Sequence, residues 1–202
     1  MRLLLATRNA AKLVELRRIV ADAGMDGVEV LGLADVPEFP EAPETGATFA
    51  ENALAKARDA AAATGLAAVA DDSGITVDAL NGMPGVLSAR WSGRHGDDGA
   101  NLQLVLDQLS DTPDERRGAA FVCAAALVAP GGSPEETIVH GTWRGTLLRA
   151  PRGENGFGYD PIFQPDGDER SSAELSSAEK DALSHRGQAL RALVPHVLAL
   201  AG

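Results

Sequence analysis

The chain has 202 residues, 45% hydrophobic and 23% charged, with a formal net charge of −11. That is enough apolar material for one sizeable core, and it argues against disorder or two full domains. The acidic balance excludes a protein that tracks a nucleic-acid polymer, because that task needs a basic surface, but it allows a small anionic ligand in a locally basic pocket.

The opening MRLLLATRN has too short an apolar stretch for a signal peptide, and no window approaches a membrane span. The expectation is a soluble, cytoplasmic protein with no membrane partner. Arg2 to Ala6 reads as a first strand, Thr7-Arg8-Asn9 as a polar turn, and Ala10 to Ala23 as a helix with Leu13, Leu16, Ile19 and Val20 at helical period. Strand, polar turn and helix together aim backbone N–H groups and a helix dipole at an anion, with Lys12 in the first helical turn. The turn is neither a Walker loop nor GxGxxG, and many such turns bind nothing.

Val28 to Leu31 predicts a second strand, and the acidic, proline-rich stretch from Asp35 to Gly46 a loop. Thr48 with Glu51 has capping-box spacing and opens an alanine-rich helix to about Thr64. Glu44, just before it, and Lys56, inside it, either face one cleft or lie on a solvated helix end and face. Ala67 to Ala70 reads as a buried strand ending in Asp71 and Asp72, followed by Ser73. Adjacent carboxylates repel, and burying either one unpaired is costly, so a cation or a proton must offset them.

Extended chain continues through ITVDAL to the turn NGMPG, and Ala100 to Leu109 predicts an amphipathic helix. Phe121 to Ala129 and Thr137 to Thr146, joined by PGGSP, predict a hairpin. Cys123, the only cysteine, lies in the first of these strands and reads as a small core residue. The Gly- and Pro-dense stretch PRGENGFGYDPIFQPDG is a structured loop, because Phe157, Tyr159, Ile162 and Phe163 are too apolar to dangle. Its aromatics form either a wall for a flat ligand or ordinary core anchors. Ser176 with Glu179 marks another capping box, and a further helix start follows at Ser184. Lys180, His185 and Arg186 then gather near a helix N-terminus, where cations are unfavourable unless an anion lies between them.

Of the 18 basic residues only Lys12, Lys56 and Lys180 are lysines. Their rarity reflects either compositional bias or a need for compact point charges suited to phosphate.

The stretches LLATRNAAKLVEL, ETGATFAENALAKA, ADDSGI, GFGYDPIF and EKDALSHRGQAL, in this order, resemble the inosine triphosphatase or Ham1-like family of noncanonical purine nucleoside triphosphate pyrophosphatases. One departure is Arg8, where the family often has glycine. The resemblance implies an elongated α/β fold, a single bilobed domain with a mixed central sheet and two lobes flanking a substrate cleft, assembled as a homodimer. It also implies Mg2+-dependent hydrolysis of ITP, dITP, XTP and dXTP to monophosphate and pyrophosphate.

By motif position, the family's phosphate loop falls on Thr7, Arg8, Asn9, Ala10, Ala11 and Lys12, with Lys56 as a further phosphate contact. Its metal ligands fall on Glu44 and Asp72, and its general base on Asp72. Nucleobase contacts fall on Ser73, Phe157, Gly158, Tyr159, Asp160, Lys180, His185 and Arg186. On this reading a magnesium ion lets the two aspartates coexist, Asp71 is a support, and Glu38 and Glu41 are alternative ligands. Two other readings are a haloacid dehalogenase-like aspartyl phosphatase, whose pattern wants an acid where Ser73 stands, and a non-catalytic nucleotide sensor.

Overall fold

A computed structural model describes residues 1–40, 43–131 and 136–201. Strand β1 (Arg2–Leu5) has its leucines buried, and helix α1 (Ala10–Asp22) follows after a short turn. Asn9 caps α1 by accepting the Ala11 N–H at 2.9 Å, and Leu16, Ile19 and Val20 form its buried stripe. After β2 (Glu29–Leu31) the chain enters α2 (Phe49–Thr64), where Thr48 and Glu51 form the expected capping box and Gly65 closes the helix in the left-handed region, φ 67°.

Strand β3 (Ala67–Val77) does not end at the aspartates. It runs through them, because Ile75 and Val77 keep burying alternate side chains beyond Asp72 and Thr76 Oγ1 bonds the Ala120 carbonyl at 3.2 Å. Helix α3 (Asp98–Gln108) starts two residues before the apolar pattern does, since Asp97 accepts the Ala100 N–H and acts as its cap. Strands β4 (Gly118–Val128), β5 (Glu136–Leu147) and β6 (Phe163–Pro165) and helices α4 (Ser177–Leu183) and α5 (His185–Ala201) complete the order. Part of the PGGSP turn lies outside the described residues.

The six strands form one mixed sheet in the order β2-β1-β3-β4-β5-β6. β1 is parallel to β2 and β3, with Leu3 opposite Ala67 and Leu5 opposite Val69, and β5 is antiparallel to β6. Among the described residues no helix is long and apolar enough to cross a membrane.

The chain divides into two compact units. The first comprises Met1–Asp72, Cys123–Gly141 and Arg186–Gly202, and the second Ser73–Val122 and Thr142–His185. In the first unit, strand alternation sorts the core into two sets. Leu3, Leu5, Val69, Cys123, Ala125 and Leu127 pack with apolar residues of α1 and α5, whereas Leu4, Ala68, Ala70, Ala124 and Ala126 pack with the alanines of α2. The second unit has its own core, including Ile75, Val77, Val105, Leu109, Trp143 and Phe163. There the buried Arg117 donates to the carbonyls of Leu109, Leu147 and Leu148, joining the end of α3 to the end of β5.

Candidate active site

Both aspartates are buried, and the strand period turns them to opposite faces of β3. Asp71 continues the odd-numbered set, toward α1 and α5. Its Oδ2 accepts from Lys12 Nζ at 2.7 Å and lies 3.4 Å from Arg186 Nε. Asp72 continues the even-numbered set, toward α2. Its Oδ2 accepts from Asn52 Nδ2 at 2.9 Å, and its Oδ1 lies 3.4 Å from Lys56 Nζ. Each carboxylate of the pair therefore has its own protein partners on its own side of the strand.

Electrostatics follow this division. Burial alone would push Asp71 up, but the charges of Lys12 and Arg186 overcome it and hold the carboxyl far below the usual carboxylate range. Burial also pushes Asp72 up, and there Lys56 and Asn52 do not fully oppose it, while the charge of Glu44 adds to the rise. Lys56 contacts Glu44 as well as Asp72. Burial works against its ammonium, yet the surrounding acids raise its pKa.

Two carboxylates thus share one ammonium, with Asp72 still short of positive charge. That donor set fits Mg2+, which takes one or two carboxylates together with substrate phosphates. No cluster of three or more acids, histidines or cysteines suited to a metal occurs among the described residues, so substrate oxygens and water would have to complete the shell. Glu38 is exposed, and Glu41 lies outside the described residues.

The Thr7–Lys12 turn sits at the end of β1. Thr7 Oγ1 accepts the Asn9 N–H at 3.2 Å, and Ala10 and Ala11 begin α1 with exposed side chains. Arg8 does not need glycine's freedom: Asn81 is the only non-glycine residue with positive φ among those described.

In the second unit, Ser73 follows Asp72 directly, half-buried on β3. Phe157 is 54% exposed, with Lys180 Nζ 5.5 Å from its ring centre. Tyr159 is buried and donates to the Ser88 carbonyl at 2.8 Å, and Ile162 and Phe163 are fully buried. The two readings of the aromatic loop thus divide by residue: Phe157 is a free face, and the others are anchors. Asp160 is internal, its carboxylate accepting from Phe157 N–H and Ser172 Oγ at 2.8 Å each, and from Lys180. Gly156 is required there, because at φ 77° a Cβ would lie 2.1 Å from Asp160 Oδ2. Gly158 N–H donates to Asp98.

The cations expected to gather at one helix start have separate partners. Lys180 meets Asp160, His185 stacks on Phe121 with ring centres 4.9 Å apart, and Arg186 meets Asp71 and Glu15. Lys180 lies in the last turn of α4, where the dipole favours a cation, whereas Arg186 stands at the start of α5 and is offset there by Asp71.

Sequence reasoning missed Asn52, Glu15 and Asp98. Glu15 had a usable signal, an acid on the buried stripe of α1. Asn52 and Asp98 had none, since a polar residue near a helix start is ordinarily solvated.

The match to the Ham1 family model spans residues 3–196. A Nocardia farcinica protein named dITP/XTP pyrophosphatase is 68% identical over 200 residues, covering 99% of this chain and 96% of its own length. The crystal structure of a nucleoside-triphosphatase / dITP/XTP pyrophosphatase from Mycobacterium abscessus superposes with a TM-score of 0.81 at 63% identity, covering 98% of this chain and 100% of that one. A Coxiella burnetii HAM1 protein reaches 0.88 at 43% identity, covering 98% and 99%. The order of the elements, the paired acids of β3 and these near full-length matches place the chain in the Ham1 family.

Proposed function

We propose that the protein is a nucleoside triphosphate pyrophosphatase that hydrolyses noncanonical purine nucleoside triphosphates, ITP, dITP, XTP and dXTP, to monophosphate and pyrophosphate with Mg2+, acting as a homodimer. The observation that carries this reading is the constellation at β3: a buried Asp72 with raised pKa, beside Lys56 and Glu44, with Lys12 held on the neighbouring carboxylate. Relatives named for dITP and XTP supply the substrate class.

Asp72 and Glu44 would hold Mg2+, which when bound supplies Lewis acidity toward phosphate oxygens and water. Asp72 orients the attacking water and accepts its proton, its carboxyl being raised above the ordinary value by burial. Lys12 and Lys56 present compact ammonium groups to the phosphates and offset the charge that develops on departing pyrophosphate. The α1 N-terminus, capped at Ala11 by Asn9, adds backbone donors from the Thr7–Lys12 turn.

Phe157 stacks on the purine, and Lys180 is held beside that ring by Asp160. Arg186 is held through Nε by Asp71 and, at 4.0 Å, through Nη1 by Glu15, which leaves Nη2 to donate to a 6-oxo group. Adenine presents an amine at that position and would leave the donor unpaired, at a cost of about 1–3 kcal/mol.

The test is pyrophosphate release from ITP, XTP and ATP with and without Mg2+. Release from the oxo purines in strong preference to ATP, and only with the metal, is the expected result. Nucleotide binding without turnover would replace this reading with a sensor.

A further inference from the structure

We propose that Asn52 is a positioning residue for this reaction: it ties the segment carrying Glu44 to Asp72 and fixes which Asp72 oxygen is available for chemistry. The inference rests on the pyrophosphatase reading and goes beyond it, because it assigns a role to an uncharged residue with no expected contact to substrate.

Asn52 is 2% exposed on the second turn of α2, whose start is pinned by Thr48 and Glu51. Its Oδ1 accepts the Gly46 N–H at 2.8 Å, and its Nδ2 donates to Asp72 Oδ2 at 2.9 Å. A backbone N–H can only donate and a carboxylate can only accept, so the partners themselves fix the amide orientation. The contact at Gly46 is close enough to require glycine: a Cβ there would lie 2.6 Å from Asn52 Oδ1 and 2.8 Å from the Glu51 Cβ.

Four residues on, and so on the same helix face, Lys56 contacts Glu44 and lies 3.4 Å from the other Asp72 oxygen. Helix α2 therefore grips both acids with two side chains. The neutral amide takes Oδ2, and Oδ1 is left to the ammonium and the reaction. Without the amide, Asp72 can rotate and close on Lys56 with both oxygens, removing it as a base and as a ligand. The Gly46 bond simultaneously sets the path of the segment that delivers Glu44.

The test compares wild type with Asn52→Ala and Asn52→Asp by steady-state pyrophosphate release from ITP at saturating Mg2+, by Mn2+ binding without nucleotide, and by thermal unfolding. Partners that orient metal ligands typically account for about 10–100-fold in metal affinity or activity. Asn52→Ala is expected to lower kcat within that range, to weaken Mn2+ binding and to leave KM for ITP nearly unchanged. Asn52→Asp keeps the acceptor for Gly46 but reverses the polarity toward Asp72. A role confined to holding the loop predicts near wild-type kcat for it, whereas positioning of Asp72 predicts a loss comparable to that of Asn52→Ala.

Wild-type kcat and Mn2+ affinity in Asn52→Ala, or wild-type kcat in Asn52→Asp, would overturn the proposal. If Asn52→Ala does not fold, Gly46→Ala, which displaces Asn52 Oδ1, is expected to show the same fall in kcat at constant KM, and unchanged kcat there would equally overturn it. A wild type that releases no pyrophosphate removes the function and this inference together, whereas an active wild type matched by Asn52→Ala removes the inference alone.

Discussion

Asp71 and Asp72 are neighbours in sequence, yet they face opposite sides of β3: Asp71 meets Lys12 at 2.7 Å and Asp72 meets Asn52 at 2.9 Å. Their pKa shifts run in opposite directions, one held down by two cations and the other pushed up by burial. The same substitution at the two positions should therefore give contrasting results.

Asp71→Asn leaves Lys12 and the half-buried Arg186 without the buried carboxylate they share. Breaking a buried pair from one side costs about 3–5 kcal/mol, and denaturant unfolding at pH 7 should show a loss of that order. A depressed carboxyl contributes stability that is present above its unfolded value, near 4, and is lost as pH falls toward the folded one. The gap between wild type and Asp71→Asn should thus narrow as pH falls below about 4. A gap independent of pH would contradict the ion-pair account.

Asp72→Asn removes a charge that burial disfavours. A raised carboxyl makes the fold more stable as pH falls through its folded value, so at pH 7 the ionised group is a liability. Metal-free Asp72→Asn should unfold at the same temperature as wild type or higher, with the difference shrinking on acidification. Turnover should fall by roughly 1,000-fold, given that a general base alone contributes about 100- to 10,000-fold. Retention of near wild-type kcat would remove Asp72 from the chemistry.

The contrast shows what the sequence could and could not reveal. The strands β1 and β3, the caps at Thr48 and Ser176, and the structured aromatic loop were legible, because each depends on local spacing. The separation of the aspartates was legible in principle, since period-2 alternation requires it, but reading the strand as ending at Ala70 concealed it. What covers each carboxylate was not legible. Asn52 is 20 residues from Asp72 and Arg186 is 115 from Asp71, and pairings at that distance depend on how helices dock rather than on spacing.

Lys56 sits between Glu44 and Asp72 as a compact charge. Lys56→Arg keeps the charge but brings a planar fork that pairs with carboxylates in fixed geometry, so it should lower kcat at least about tenfold without loss of fold. Lys12→Arg should behave similarly. Wild-type kinetics in both would mean that the scarcity of lysine carries no functional information.

Base recognition divides between stacking and polarity. Phe157→Ala should raise KM for ITP and ATP by the same factor, since stacking is worth about 1–3 kcal/mol whatever the base. Arg186→Ala should lower kcat/KM for ITP far more than for ATP, narrowing the preference, because a contact made with both substrates cancels in the ratio. An unchanged ratio would leave Arg186 with only its ion pairs to Asp71 and Glu15.

The central claim is attack on the α-phosphorus, with pyrophosphate as the leaving group. Hydrolysis of ITP in 18O-labelled water with Mg2+, followed by mass spectrometry of both products, tests it most directly. The account predicts one labelled oxygen in inosine monophosphate and none in pyrophosphate, with turnover nearly abolished in Asp72→Asn. Label in pyrophosphate, or release of orthophosphate and inosine diphosphate, would contradict it.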